Sequence, residues 1–369
     1  MNNDERFYAL ALTLCEGIGH INAKRLIEEV GSATAVFENR LHLKEFIPDI
    51  NEHLLQALDN PMAFKRAEQE MFFIEQHGIS CFTLKDETYP SRLRECEDAP
   101  AILFFQGKMD LNRLHMVAMV GTRRATEYGK EFCDNFVRDL AILCPDAVIV
   151  SGLAYGIDIC CHRAAMANGL GTVAVLAHGL DRIYPPFHRK VALEMQKNGG
   201  VMTEYISKTD PDPFNFVARN RIVAGITDAT IVVESASKGG SLITASLANT
   251  YNRDCFAVPG RIKDENSKGC NQLIRDNRAG LITNATDFIH AMGWQQVKKP
   301  EAIQRNLFVS LTPEEQQIAD ILQARGDLHV NNLTVEANMP IYQLTSILFN
   351  MEMKGVVKAL VGGIYHLLS

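Results

Sequence analysis

Apolar and polar positions follow three different rhythms along the chain. In residues 1–80 the apolar positions recur at helical spacing, with glycines at the breaks. From 81 to 292, short β-rich apolar runs alternate with amphipathic helical stretches. Periodicity is lost over 293–310 and returns as helical spacing in 311–369. The pattern therefore predicts three domains, at 1–80, 81–292 and 311–369, with 293–310 as a linker.

The central zone predicts a doubly wound α/β fold. Strands are expected at 116–120, 147–151, 172–177, 200–204, 229–234 and 255–259. Strands that alternate with helices at this rhythm form βαβ units and a parallel sheet. In such sheets ligands bind at the carboxyl ends of the strands, so the residues that follow each strand are the candidate site.

The N-terminal zone contains the stretch EGIGHINAKRLIEEVGS. Two helices joined by Gly17-Ile18-Gly19 are typical of a helix-hairpin-helix or SAM-like domain, whose glycine N–H groups can meet a phosphate. An ordinary helical hairpin with capping glycines fits equally well, because Lys24 and Arg25 are faced by glutamates. Contact with duplex DNA therefore stays an open alternative.

The C-terminal zone predicts a winged helix. Thr312-Pro313-Glu314-Glu315 forms a capping box, and helices are expected near 313–325, 330–337 and 341–354, before two short strands around Gly362-Gly363. A winged helix that reads duplex DNA needs basic contacts on its third helix. Here Glu352 and Lys354 are its only charges, and 311–369 carries −3. This domain is predicted to contact protein.

Composition limits the function classes. The 369 residues are 47% apolar and carry a net charge of −7, so any nucleic-acid site must be a local basic patch. Nine cysteines without C-x-x-C spacing predict reduced thiols and no metal site. The acidic N-terminus lacks signal-peptide character and no apolar run is long enough to span a bilayer. We expect a soluble, cytoplasmic protein without membrane contact.

The segments that follow the predicted strands are basic. The windows 119–130, 178–190, 214–226 and 237–241 together carry +7, which leaves −14 for the remainder. The cations in these turns are Arg123, Arg124, Arg182, Arg189, Lys190, Arg219, Arg221 and Lys238. Because all these turns belong to one edge of the sheet, they predict a phosphate-binding track.

Glycines in the same turns have two interpretations. Gly152 and Gly156 in SGLAYGID fit a tight strand-to-helix turn as well as a phosphate contact. KGGSLITA fits a glycine-rich anion loop that opens a helix, and it also fits an ordinary N-cap at Ser241. His162, His178 and His188 lack metal-ligand spacing.

Aromatic residues are interleaved with these charges. They are Tyr128, Tyr155, Tyr184, Phe187, Phe214 and Phe216. A basic groove with exposed rings suits single-stranded nucleic acid, because each stacked base contributes ~1–3 kcal/mol whatever its identity. We expect Tyr184 and Phe187 to stack on bases, and Phe214 and Phe216 to pack in the core.

Several long motifs identify a family resemblance. GTRRATEYG, SGLAYGID, GLDRIYPP, FVARNRIVAG, KGGSLITA and AVPG…GCNQLI, preceded by YPSRLRECEDAPAILFFQG, resemble the DNA-processing protein A (DprA/Smf) family across roughly 85–285. The resemblance implies an extended Rossmann-like core that binds single-stranded DNA, acts as a homodimer and loads the RecA recombinase during natural transformation. It implies no catalysis and no cofactor.

The resemblance and the strand-end pattern together define the expected DNA-binding residues. By position, Arg123 and the basic residues of the later turns would hold phosphates. The full set is Gly121, Thr122, Arg123, Arg124, Gly152, Gly156, Arg182, Tyr184, Phe187, Arg189, Lys190, Arg219, Asn220, Arg221, Lys238, Gly239, Gly240 and Ser241.

Two enzyme hypotheses compete with this interpretation. A nucleotide-binding Rossmann enzyme that hydrolyses a nucleoside monophosphate could use Glu234 beside the GG loop, although no second acid accompanies it. A dinucleotide-dependent oxidoreductase is excluded by the missing glycines after Gly121 and the lack of a suitable acid.

Overall fold

The computed structural model describes residues 3–294, 311–360 and 363–368. The chain separates into two compact units, Met1–Gln296 and Val297–Ser369. Residues 295–310 of the predicted linker lie outside the described residues. The predicted division at residue 80 stays a prediction, and the apolar core is continuous across it.

Six helices and their short connections make up residues 3–76, as the pattern predicts. The element boundaries are set by local signals: Ser32, Asn51 and Asn60 accept N-cap hydrogen bonds from their helices, and Gly31 ends a helix with φ of 109°. The helices are α1 (Asn3–Leu14), α2 (His20–Val30), α3 (Ala33–Glu38), α4 (Leu43–Phe46), α5 (Glu52–Ala57) and α6 (Pro61–Gln76).

A nine-stranded sheet forms the centre of the larger unit, in the order β1-β2-β6-β5-β4-β3-β7-β8-β9. Strands β3 to β9 pair in parallel, whereas β2 pairs antiparallel with both β1 and β6. The strands are β1 (Ser80–Thr83), β2 (Ile102–Gly107), β3 (Met116–Val120), β4 (Val148–Ser151), β5 (Gly171–Val175), β6 (Gly199–Thr203), β7 (Ala229–Val232), β8 (Asp254–Ala257) and β9 (Gly280–Leu281).

Helices cover both faces of this sheet. They are α7 (Ser91–Arg94), α8 (Glu127–Leu143), α9 (Ile157–Ala167), α10 (Arg189–Met195), α11 (Pro213–Gly225), α12 (Ser241–Thr250), α13 (Lys268–Arg275) and α14 (Ala285–Met292), with short 3₁₀ turns at Pro186–His188 and Glu265–Ser267. Within the described residues, no helix has the length and hydropathy to cross a membrane.

Successive side chains of β3 pack alternately into two hydrophobic cores. Val117 and Met119 belong to the cluster with α8, α9 and α14, while Met116, Ala118 and Val120 belong to the cluster that includes the N-terminal helices. Successive side chains of a strand point to opposite faces. Because both faces are covered, the strand is apolar throughout, which is typical of a buried parallel sheet.

The doubly wound parallel sheet and its six expected strands are confirmed. Strands β1, β2 and β9 were not predicted. The edge strand β9 covers only two exposed residues, too few for a periodic signal, and β1 begins at residue 80, where the pattern places the end of the helical zone. In β2 the first four residues are fully buried, so the run shows no alternation of polar and apolar positions.

The smaller unit is a winged helix, as predicted. It comprises α15 (Pro313–Arg325), α16 (Val330–Glu336) and α17 (Ile341–Met353) with β10 (Leu328–His329), β11 (Val357–Leu360) and β12 (Ile364–Leu367). The Thr312–Glu315 capping box opens α15. Lys354 donates to both carboxylate oxygens of Glu315, at 2.8 and 2.7 Å. Gly362 of the expected turn lies outside the described residues.

Candidate nucleic-acid interface

A cavity of about 280 Å³ opens where the chain order of the sheet reverses. The chain builds β4, β5 and β6 on one side of β3 and then returns to place β7 on its other side. This reversal is where doubly wound sheets bind their ligands. The expected site residues that line the cavity are Gly121, Thr122, Arg123, Gly152, Arg219, Asn220, Gly239, Gly240 and Ser241.

The turn after β3 is attached to the turn after β7. The Thr122 N–H donates to the Glu234 carbonyl over 2.8 Å, and the Val233 N–H donates to the Val120 carbonyl over 3.0 Å. A Cβ atom at Gly121 would lie 2.5 Å from Ile157 Cγ1. Glycine is needed at 121 for this close approach of α9, and pyrophosphate binding is not required to explain it.

Gly156 packs closely against the backbone of the same turn. Its φ of 79° is a left-handed conformation that favours glycine, and a Cβ atom here would lie 2.1 Å from the Thr122 carbonyl oxygen and 2.6 Å from Arg123 C. Gly156 is not among the lining residues of the cavity. It therefore positions Arg123, which agrees with the tight-turn interpretation of SGLAYGID.

Arg219 forms the floor of the cavity. Only 4% exposed, it donates from Nη1 to the Gly152 carbonyl over 2.8 Å and also to the Val175 carbonyl. Burial lowers the pKa of Arg219 to about 10, so the guanidinium stays charged at neutral pH. Because the guanidinium is close to the cavity and buried in surroundings of low polarity, its charge would attract an anion in the cavity more strongly than it would in water.

Asp158 balances this buried cation and shapes the turn after β4. Its carboxylate accepts from the N–H groups of Gly152 and Ala154, at 3.1 and 3.3 Å. Burial raises the pKa of Asp158, and the nearby Arg219 charge opposes that rise. These two backbone hydrogen bonds make Asp158 a positioning residue for the turn after β4.

Arg123 and two aromatic rings form a continuous row. The Arg123 guanidinium lies 5.1 Å from the ring centroid of Phe216, and the Phe216 ring lies 5.8 Å from that of Tyr184. Among the described residues Arg123 has no acidic partner. The row extends from the cavity to the turn after β5.

The loop 238–241 opens α12 directly into the cavity. The helix N-cap is Gly240, and no side chain caps the first turn. Ser241 instead donates from Oγ to Ser235 Oγ over 2.9 Å, so the N-cap interpretation of Ser241 is wrong. The Leu242 and Ile243 N–H groups donate to the Gly239 and Gly240 carbonyls, and among the described residues those of Gly240 and Ser241 have no acceptor. Two free N–H groups at a helix N-terminus, with exposed Lys238 beside them, favour an anion.

The turn after β5 forms a second concave region, with a cavity of about 430 Å³ lined by Arg182 and Arg189. Arg182 is paired with Asp181 at 2.9 Å and with Asp210, so much of its charge is compensated. Arg189 and Lys190 are exposed at the start of α10. The structure thus groups these residues next to the first cavity without placing them in it.

Arg221 was predicted to bind DNA, but it does not lie on the strand-end surface. Only 6% exposed, it pairs with the buried carboxylate of Glu204 and lies 4.0 Å from Asp98. His20 of α2 reaches the same Glu204 at 3.2 Å. Arg221 therefore joins the N-terminal helices to the sheet, and it is unable to present its guanidinium to DNA at the strand-end edge.

Arg124 is exposed but does not line either of the two strand-end cavities. Its backbone N–H donates to Thr122 Oγ1 over 3.1 Å, and its carbonyl accepts from Asn266 Nδ2 over 3.3 Å. The backbone of Arg124 thus stabilises the turn, while its exposed guanidinium has no acidic partner in the part of the chain that the structure describes.

The exposure of the aromatic side chains agrees with some of the predictions and contradicts one. Tyr184 is 44% and Phe187 85% exposed, which suits stacking on bases. The expectation that Phe214 packs in the core is wrong, because it is 84% exposed. Phe216 is half-buried under Arg123. The exposure of the two rings depends on which face of α11 packs against the sheet. The spacing of apolar positions in the sequence did not reveal that face.

Glu234, the acid of the rival enzyme hypothesis, points away from the cavity. Its carboxylate accepts from the Thr126 N–H at 2.9 Å and from Thr126 Oγ1 at 2.5 Å. A Cβ atom at Gly129 would lie 2.4 Å from Glu234 Oε2. This buried side chain holds the start of α8, so it supplies no acid to a nucleotide bound in the first cavity.

The cations of the N-terminal hairpin are bonded to other groups of the chain. Lys24 is 8% exposed and donates to the carbonyls of Arg94 and Cys96, both at 2.7 Å. Arg25 pairs with Asp49 at 2.6 Å. These contacts favour the ordinary-hairpin alternative over a phosphate-binding one.

Comparison with known proteins follows the same division of the chain. A family model described as DNA recombination-mediator protein A matches residues 80–293, and one described as DprA winged helix domain matches residues 307–363. DNA processing protein DprA of Streptococcus pneumoniae is 40% identical over 208 residues, which are 56% of this chain and 72% of that protein. Protein Smf of Escherichia coli is 31% identical over 82% of this chain and 81% of its own length.

Two solved structures agree with the fold. The X-ray structure of DNA processing protein A from Streptococcus pneumoniae is 33% identical, with a TM-score of 0.58 over 74% of this chain and 98% of that chain. The structure that addresses the single-stranded DNA binding mode of DNA processing protein A from Helicobacter pylori is also 33% identical. Its TM-score is 0.53 over 58% of this chain and 96% of that one.

Proposed function

Because the chain belongs to the DNA recombination-mediator protein A family, we propose that it binds and protects single-stranded DNA and loads a RecA recombinase onto it during natural transformation. The observation that carries the DNA-binding part is the row of Arg123, Phe216 and Tyr184, which leads out of a charged cavity at the reversal point of the sheet.

The cavity has the chemistry of a phosphate site. Arg123 supplies an exposed guanidinium at its rim, Arg219 a buried one at its floor, and α12 directs its uncapped N-terminus into it. Charge-assisted hydrogen bonds to such donors are the strong ones. The same donors would hold one phosphate of a strand whose neighbours continue along the edge.

The length of the edge favours a strand over a nucleotide. From β7 through β3 and β4 to β5 the sheet contributes three strand spacings, or about 15 Å. Arg189, Lys190 and Phe187 continue the surface beyond the first cavity. A single nucleotide would leave this second region unused, whereas a few linked nucleotides would cover both.

Exposed rings favour a single strand over a duplex. Bases that are already paired and stacked offer no free face to Tyr184 or Phe187. The related structure from Helicobacter pylori addresses binding of single-stranded DNA to that protein, which supports the same ligand here.

The partners are proposed from family membership. We expect a homodimer and a recombinase-binding surface, and we assign neither to particular residues. The winged helix is proposed to contact protein, because α17 exposes Tyr342, Phe349 and Met353 at 75%, 63% and 76% while Lys354 is paired with Glu315. A non-enzymatic role fits the internal use of Glu234.

Binding of fluorescent oligo-dT and of a duplex of equal length tests the proposal. We expect tighter binding of oligo-dT and about tenfold weaker binding in Arg123→Ala and in Lys238→Ala, because each loses a charged donor. Arg138→Ala is the matched control, since Arg138 is exposed on α8 and paired with Asp139. Unchanged affinity in both Arg123→Ala and Lys238→Ala would overturn the site.

The two partner proposals need separate readouts. Light scattering should give a mass of about twice the 41.1 kDa of one chain. RecA filament formation on DNA precoated with this protein should start sooner than on bare DNA. A monomer mass or an unchanged filament rate would contradict the respective partner without affecting the DNA site.

A further inference from the structure

Three metal-ligating side chains meet at the edge of the sheet opposite the strand-end cavities. His115 immediately precedes β3, Cys144 immediately follows α8, and Asp146 lies in the turn before β4. Residues that precede parallel strands lie at the amino end of the sheet, so this cluster is separate from the proposed DNA surface. The DNA-binding proposal does not involve any of the three.

The three ligand atoms converge closely. His115 Nδ1 lies 2.9 Å from Asp146 Oδ2 and 3.4 Å from Cys144 Sγ, and Cys144 Sγ lies 3.2 Å from Asp146 Oδ1. All three atoms lie within 4.8 Å of one another. In a tetrahedral zinc site, bonds of about 2.0–2.3 Å place ligand atoms about 3.3–3.6 Å apart. The Nδ1–Oδ2 separation needs only a small expansion and the Nδ1–Sγ separation needs none.

The geometry differs from that of a proton relay. A Cys–His–Asp relay uses both ring nitrogens, one for the thiol and one for the carboxylate. Here the thiol and the carboxylate approach the same nitrogen, Nδ1 of His115. Convergence of three ligand atoms on one another is what a shared central ion requires.

The backbone holds the cluster in place. The Val148 N–H donates to the His115 carbonyl over 2.9 Å, and the Ala147 N–H donates to the Cys144 carbonyl over 3.0 Å. The His115 ring also packs against the Trp294 ring, with centroids 4.7 Å apart. Little ordering is therefore needed on binding an ion, which favours affinity.

We propose that His115, Cys144 and Asp146 form a zinc-binding site, with water as the fourth ligand. Thiolate, imidazole and carboxylate together select Zn²⁺ over Mg²⁺ or Ca²⁺, which prefer oxygen alone. Asp146 is 43% exposed at its side chain, so solvent reaches the cluster. The ion would join the start of β3 to the α8–β4 corner.

Proton balance follows from the ligand chemistry. The Cys144 thiol loses its proton to solvent as the S–Zn bond forms. His115 Nδ1, which donates to Asp146 Oδ2, gives up its proton through solvent as the ion binds, and the neutral imidazole takes one on Nε2. About one proton is released per ion.

Cobalt substitution tests the site on the full chain. Titration of the purified protein with Co²⁺ should give a thiolate-to-cobalt absorption band that saturates at about one ion per chain, and Zn²⁺ should remove it. Competition with a chromophoric chelator then gives the zinc dissociation constant. Cys144→Ser and Asp146→Asn should each raise it by more than about 100-fold, since even outer-shell changes cost up to that factor.

Cys160→Ser is the matched control, because it removes a half-buried thiol from α9 outside the cluster. Zinc should raise the melting temperature of wild type and of Cys160→Ser, and it should leave Cys144→Ser unchanged. Asp146→Asn preserves shape, so it answers the question if Cys144→Ser fails to fold. Absence of the band in wild type, or equal zinc affinity in wild type and Asp146→Asn, would overturn the proposal.

Discussion

The guanidinium of Arg219 occupies the space in which a side chain at Gly152 would stand. Its Nη1 donates to the Gly152 carbonyl over 2.8 Å, and a Cβ atom at 152 would lie 2.5 Å from Nη2. The missing side chain of one residue thus lets a buried cation lie under the proposed phosphate site. The sequence places these residues 67 positions apart.

Gly152→Ala should displace this guanidinium. We expect a loss of about 1–3 kcal/mol in the free energy of unfolding, the usual cost of overpacking, together with weaker binding of oligo-dT. Urea denaturation and fluorescence anisotropy measure the two effects. Arg219→Lys separates them, because it removes the planar contact while keeping a cation. Wild-type behaviour of Gly152→Ala in both measurements would show that Arg219 tolerates the added methyl group.

Salt dependence should distinguish a free cation from a paired one. For single strands, the slope of log affinity against log salt changes by about 0.7 for each phosphate that the protein ceases to neutralise. Arg123→Ala should show this change, whereas Arg182→Ala should show less, because Asp181 and Asp210 already compensate Arg182. Anisotropy titrations at several salt concentrations give the slopes. Equal slope changes in the two variants would contradict the pairing as the deciding factor.

Two adjacent glycines form a matched pair. A Cβ atom at Gly239 would lie 2.3 Å from Ser235 Oγ, which also accepts from Ser241 Oγ, whereas Gly240 has open space around it. Gly239→Ala should therefore disturb the start of α12 and lower the melting temperature, and Gly240→Ala should leave the melting temperature unchanged. The melting temperature is measured for both. The opposite order would exclude this packing as the reason for the glycines.

Phe187 offers a test of base stacking that does not disturb the core. At 85% exposure its loss should leave stability unchanged, and Phe187→Ala should weaken oligo-dT binding by ~1–3 kcal/mol. Phe72→Ala is the control, since Phe72 is 67% exposed on α6 and lines neither of the two strand-end cavities. If Phe187→Ala binds as tightly as Phe72→Ala, the ring does not contact a base.

His162 should make stability fall as the pH falls. Burial lowers its pKa from 6.5 to about 3, so between these values the unfolded chain binds a proton that the folded chain does not. His162 therefore does not reduce the free energy of unfolding above pH 6.5. Between pH 6.5 and about 3 that free energy falls, by at most about 1.4 kcal/mol per pH unit.

His162→Leu should make the pH dependence less steep over this interval, as measured by urea denaturation at several pH values. The neutral ring lies 2.7 Å from Thr172 Oγ1, which donates to the Ile149 carbonyl and keeps that bond in the variant. His77→Gln, which replaces an exposed histidine on the protein surface, is the control. A steeper dependence in His162→Leu would reverse the sign and contradict the argument.

The sequence by itself determined the class of fold and its order. Six buried strands were readable because parallel strands covered on both faces are apolar throughout, and the winged helix was readable from the Thr312 capping box. The two-residue strand β9 carried too little pattern. The basic turns were readable too, because the carboxyl ends of parallel strands share one edge.

Only the tertiary structure decided what each charge and ring does. Arg123 and Arg221 look alike in sequence, yet one lies exposed over Phe216 and the other pairs with buried Glu204. Phe214 and Phe216 differ by two positions, and the rotation of α11 exposes the first more than the second. The cause is that exposure and ion pairing depend on neighbours distant in the chain, which local periodicity does not encode.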